Sequence, residues 1–223
     1  MATHYDLQEQ EQLAQIKHFW SRYGNLMTWT LIAVLTAIAA WNGWNYWQRQ
    51  KALQAAALMD ELERVVQSQD LDRVQRVWAD IQAHAASTTQ AQQAGLLVAK
   101  VATEAAQPDL ARQALQTVVA KSKDEALAAL ARLRLASIDL DQGQLDAAAT
   151  HLAASMPSEF EALKSDRLGD LHALRGQADE ARQAYQKAWN LMAGELEYRR
   201  LIEAKLNALG VNPNESSTQE SAR

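Results

Sequence analysis

The chain has no cysteine, and among its 223 residues only three are proline, eight glycine and two phenylalanine. Without cysteine there is no disulfide scaffold, thiolate zinc site or cysteine nucleophile. The compartment stays open, because an oxidising one does not require disulfides. Few helix breakers means long helices: neither Gly nor Pro occurs between Gly43 and Gly95. With so little Phe, a core must be built by small residues packing with Leu and Val. Charge of one sign never accumulates either. Of 22 Lys and Arg only Lys17 and Arg22 precede Gln48, and of 27 Asp and Glu only Asp6, Glu9 and Glu11 do. Beyond that point the two signs are interspersed, so no basic stripe exists to neutralise phosphates and nucleic-acid binding is not expected.

Chemistry is also missing. His4, His18, His84, His151 and His172 are scattered and make no metal-ligand spacing. The glycines are isolated, so no loop cradles a phosphate. Asp139/Asp141 and Asp166/Asp170 read as solvated charges on helices, and no strained nucleophile turn is visible. The sequence predicts no catalytic residue, no metal ligand and no cofactor; it is not read as an enzyme.

Against these absences stands one apolar run, LMTWTLIAVLTAIAAWNGWNYW, from Leu26 to Trp47, without a charged residue. As helix its 22 residues reach roughly 33 Å, against a hydrocarbon core of about 30 Å. Thr28, Thr30 and Thr36 fit lipid if each hydroxyl bonds back to a carbonyl of the preceding turn. Five of the seven tryptophans, Trp20, Trp29, Trp41, Trp44 and Trp47, lie in or beside the run, as aromatic belts do at the two headgroup levels. Leu26, Trp29, Trp41, Trp44 and Trp47 are the expected membrane-anchor residues. Ala37-Ile38-Ala39 does match a signal-peptidase pattern. However, a leading segment of about 25 residues carrying Asp6, Glu9 and Glu11 is unlike the short, positive start of a signal peptide. The run is therefore read as an uncleaved single-pass span. Its orientation is open from charge: Lys17 and Arg22 on one side balance Arg49 and Lys51 on the other.

Residues 1–24 read as a polar tail whose second half is helical, 25–47 as the span, 48–208 as an all-α domain and 209–223 as a disordered tail. Apolar periodicity predicts helices over 52–68, 71–86, 89–105, 109–121, 124–141, 145–155, 159–175, 178–192 and 195–208. The span's helix is expected to continue unbroken toward Asp70. Asp70, Ser158 and Asp179 are expected at helix starts, with Pro108 and Pro157 where a missing N–H costs little.

The helices pair, and the pairs repeat. Leu168-Gly169, Gly176, Ala181, Tyr185 and Ala188 match Leu135-Ala136, Gly143, Ala148, Leu152 and Ser155 at an offset of 33. A weaker copy is Val98-Ala99, Ala106, Ala111, Leu115 and Val118, and it shares Ala-Arg-Gln-Ala at 111–114 and 181–184. Small residues let two antiparallel helices approach, and Gly143 and Gly176 suit a left-handed turn. This resembles the tetratricopeptide repeat, with its period near 34. The likeness is clear over 126–192, fair over 88–121 and degenerate over 52–86. It departs at Ser165, where a bulky residue belongs, and at Ala193, where a proline does. The fold class is thus all-α: one N-terminal transmembrane helix, then an α-solenoid of tetratricopeptide-like hairpins. Such arrays expose a concave face from the first helix of each pair. Leu130, Leu133, Ser137, Leu163, Asp166 and Asp170 are the candidates to face that groove, although core or solvated positions would fit the same pattern.

Three segments carry a further resemblance: Ile16-Lys17-His18-Phe19-Trp20 before the run, Gly43-Trp44-Asn45-Tyr46-Trp47 at its exit, and Arg132-Leu133-Arg134-Leu135-Ala136. In this order they resemble the YfgM-like family, ancillary subunits of the SecYEG translocon. The resemblance implies a bacterial inner-membrane protein with a cytoplasmic N-terminus and a periplasmic repeat domain. It also implies two partners, SecYEG and a membrane-anchored periplasmic chaperone, with a role in linking emerging proteins to periplasmic chaperones. The alternative is a membrane-tethered scaffold for another envelope complex, in outer-membrane assembly or cell division, that binds no client.

Overall fold

A computed structural model describes residues 7–192 and 197–213. It separates into two units, Met1–Lys51 and Ala52–Arg223. The first helix, α1, is Leu7–Gln67 and contributes to both. Among the described residues it is the one helix long and apolar enough to cross a membrane.

Within the first unit the threonines behave as lipid requires. Thr28, Thr30 and Thr36 donate from Oγ1 to the carbonyls of Gly24, Leu26 and Ile32, each at 2.8 Å. Leu26, Trp29, Trp41, Trp44 and Trp47 are 49 to 68% exposed, so their apolar surface is not covered within this unit. Lys51 Nζ lies 3.7 Å from the centroid of the Trp47 ring. This places a cation directly beside the last aromatic of the run, as at a membrane boundary.

The second unit is built from helical hairpins. The last part of α1 packs with α2 (Leu71–Ala85). Next come α3 (Thr89–Glu104) with α4 (Pro108–Lys121), α5 (Glu125–Asp141) with α6 (Leu145–Ala153), and α7 (Glu161–Leu174) with α8 (Ala178–Leu191). α9 (Glu197–Ala208) follows them. Starts are set by caps: Asp70 and Asp124 accept backbone N–H bonds at the heads of α2 and α5, and Thr88 does so for α3. Pro108 opens α4, while Pro157 precedes a 3₁₀ turn at Ser158–Phe160 that leads into α7. Asp179 lies in the first turn of α8.

The turns inside the hairpins share one geometry. Ala106, Gly143 and Gly176 have φ of 56°, 71° and 74°, and Gly210 after α9 has 78°. At each, the following amide reaches back to the carbonyl five residues earlier. Gln107, Gln144, Gln177 and Val211 donate to Ala102, Asp139, His172 and Leu206 at 2.7 to 3.0 Å. Gln69, between α1 and α2, is also left-handed at φ 57°. The weaker copy therefore turns as the glycine copies do, and the degenerate one shares their left-handed residue.

The core lies along the array as three successive clusters. Leu62, Val74, Ile81, Val98, Leu115 and Leu135 form its first part. Leu133, Leu140, Leu152 and Leu171 form its second, and Tyr185, Trp189, Ile202 and Leu206 its last. α5 serves the first two parts and α7 the last two. Gly169 permits the close approach of α8, since a Cβ there would lie 2.3 Å from the Tyr185 ring. The expected tail over 209–223 begins later than foreseen: Leu209 and Val211 pack on the last core cluster. Residues 214–223, like 1–6, lie outside the described ones.

Candidate functional site

Each first helix of a hairpin places the same positions on one face. Lys100, Ser137 and Asp170 each follow the small residue that lets the hairpin close, and Glu104, Asp141 and Leu174 lie one turn further on. These six line two clefts. One of about 390 Å³ lies between α3 and α5, with Ala99, Thr103, Leu115, Arg134 and Ile138 in its wall. The other, of about 440 Å³ between α5 and α7, adds Arg167 and Tyr185. Ser137 and Asp141 belong to both, so the clefts join into one groove.

Of the residues named from sequence, Ser137 and Asp170 line this groove. Leu133 is buried with Leu140 and Leu171, Leu130 packs on the first core cluster, and Leu163 packs between the second and third. Asp166 is fully buried. These four lie one or two turns before Ser137 and Asp170 on the same helix face, but at that level neighbouring helices cover them: the three leucines pack on core clusters, and Tyr198 and Lys205 of α9 close over Asp166. Arg134, Arg167, Asp141 and Leu174 also line the groove, and are not among the groove residues expected from sequence. An equal offset of 33 between Arg134 and Arg167 was the available signal.

At its α7 end the groove is backed by a charged network. Asp166 accepts from Lys205 Nζ, Tyr198 Oη and Arg167 Nη1, each at 2.7 Å. Asp170 accepts from Tyr185 Oη at 2.7 Å and from Arg167 Nη1 at 3.0 Å, and forms an ion pair with Lys205 Nζ at 2.7 Å. Arg167 Nε donates to Ser137 Oγ at 2.8 Å. Two carboxylates meet two cations, so the buried charge is balanced. Burial and the bond to Asp170 push the Tyr185 phenol well above its ordinary pKa. Burial, with Asp166 added and Arg167 opposing, pushes Tyr198 up to about 12. Burial works against charge on Arg167, but Tyr198, Asp166 and Asp170 outweigh it and its pKa is raised. These groups hold α9 against α7 and α8, and Arg167 ties α7 to α5 through Ser137. Among the described residues no cluster could hold a metal ion.

The fold and groove define a helical-repeat protein with a single apolar helix ahead of the array. The chain belongs to the tetratricopeptide repeat-like domain family, whose model matches residues 17–211. It is similar to a protein of Haemophilus influenzae named ancillary SecYEG translocon subunit, 28% identical over 208 residues, 92% of this chain and 99% of the relative. A relative of the same name from Aggregatibacter actinomycetemcomitans is 29% identical over 207 residues, 92% and 99% of the two chains. Another from Neisseria gonorrhoeae is 28% identical over 213 residues, 94% and 100%. These are relatives of the kind that the segments around the apolar run resemble. No solved structure matches significantly.

Proposed function

We propose that this chain is a single-pass inner-membrane adaptor of the SecYEG translocon. Its N-terminus, residues 1–24, is cytoplasmic, the span covers 25–47, and the repeat domain from 48 through Val211 is periplasmic. The array offers its groove to protein segments and links emerging chains to periplasmic chaperones, a membrane-anchored one among them. The observation that carries this reading is the match to ancillary translocon subunits over their whole length, apolar run included. The exposed Leu26, Trp29, Trp41, Trp44 and Trp47 suit the span to lipid and to a membrane partner alike.

Photo-crosslinking residues placed singly through 26–47 test the association. Adducts to the channel subunits are expected, and their absence from every position would refute it. A reporter active only outside the cytoplasm, fused after Arg223, is expected to be active; an inactive fusion would reverse the topology.

A further inference from the structure

Arg134 and Arg167 occupy one position in successive repeats, yet their surroundings differ. Arg167 meets Asp166 and Asp170. In the preceding repeat Leu133 stands in place of Asp166 and Ser137 in place of Asp170. Arg134 donates from Nη1 to the Leu96 carbonyl at 2.9 Å, and among the described residues it forms no ion pair. Burial lowers its pKa, the direction opposite to that of Arg167. A guanidinium carries five N–H donors, and this one lines the 390 Å³ cleft beside Ala99, Leu115 and Ile138. A half-buried cation without a counter-charge is costly, and a carboxylate supplied by a ligand offsets that cost with short, two-pronged bonds.

The other charges of the cleft restrict the ligand. Lys100 is occupied by Glu104 at 3.8 Å. Glu104 and exposed Asp141 repel a run of acidic residues. The shared Ser137 and Asp141 leave the cleft open toward its neighbour, so a chain can pass through and need not end there.

We propose that this cleft binds an extended protein segment through one internal Glu or Asp side chain that pairs with Arg134, with the apolar neighbours of that acid lying on Ala99, Leu115 and Ile138. The inference rests on the reading that the groove receives protein, and not on the association with the translocon.

The test uses the full chain in phospholipid nanodiscs, with no translocon present. Fluorescence anisotropy compares two labelled nine-residue peptides of Val, Leu and Ala, amidated at the C-terminus, one with a central Glu and one with a central Gln. The Glu peptide is expected to bind about ten-fold tighter. In Arg134→Met the two peptides should bind equally, at the wild-type affinity for the Gln peptide. Equal binding of the two by the unmodified protein, binding of neither, or a preference that survives Arg134→Met would each overturn the proposal. The peptide pair is read on the unmodified chain, so it decides even if the variant fails to fold. Failure here leaves the crosslinking result to stand or fall by itself.

Discussion

Ala106 sits where the two later hairpins have glycine, and it takes the same left-handed turn. A Cβ in that region costs about 1–2 kcal/mol, partly offset by a stiffer unfolded chain. Nothing lies within 4 Å of a Cβ built on Gly143, so the cost there is conformational alone. Gly143→Ala is expected to lower stability by about 1 kcal/mol and Ala106→Gly to raise it by about 0.5 kcal/mol, read from urea midpoints. The shared Ala-Arg-Gln-Ala has an equally local cause. Arg112 reaches the next hairpin at Asp139 (2.7 Å) and Gln142 (2.6 Å), and Arg182 reaches the Leu209 carbonyl at 3.0 Å. The two arginines have the same role but unequal weight. Asp139 is 2% exposed, with His151 3.5 Å away as its other partner, whereas Asp179 beside Arg182 is 82% exposed. Arg112→Met should therefore cost about 2–3 kcal/mol, and Arg182→Met about 0.5–1 kcal/mol, measured by thermal or chemical unfolding.

Helix α9 combines an apolar seat with a charged one. Ile202 and Leu206 are buried, while Tyr198 and Lys205 close on Asp166. The raised phenol pKa values give this seat a pH limit. A tyrosine whose folded pKa lies above its unfolded one, near 10, adds stability that is complete below pH 10. That contribution fades as the pH climbs through the folded value, about 12 for Tyr198. Urea midpoints of the wild type should thus be insensitive to these tyrosines up to about pH 9 and fall above 10. In Tyr198→Phe the alkaline fall should be shallower, from a lower starting stability. At this scale the sequence was informative. Helix starts and ends followed from periodicity and turn residues, because each helix must bury one stripe and stop at a left-handed residue. The start of α7 was the harder boundary, where Pro157 introduces a 3₁₀ turn before the helix. Groove membership was harder still. A period places a residue on a helix, but it does not say how far Arg167 reaches sideways, or that Asp166 finds Lys205 39 residues away.

Taken whole, the repeat unit is a row of hairpins in which each helps bury its neighbour, and stability should pass along it from pair to pair. A chain ending at Met192 loses Tyr198 and Lys205, leaves Asp166 and Asp170 short of partners and uncovers Tyr185 and Trp189. Hydrogen exchange on this truncated form should show protection lost through α7 and α8 and largely kept in α3 and α4. Uniform loss would mean that the array behaves as one cooperative block. The repeat offset marked Arg134 and Arg167 as equivalent, but only the fold shows that Asp166 and Asp170 pair with Arg167, and hence what Leu133 and Ser137 fail to supply to Arg134.

The order of the chain gives the Asp166 network a consequence in time. A growing polypeptide presents Asp166 and Asp170 with only Arg167 between them, and Tyr198 and the second cation, Lys205, follow Asp166 by 32 and 39 residues. Until Lys205 has emerged, the hairpin of α7 and α8 holds two carboxylates against one cation. The final third of the protein must therefore wait for its own end before it closes, while the hairpins ahead of it can settle as they are made.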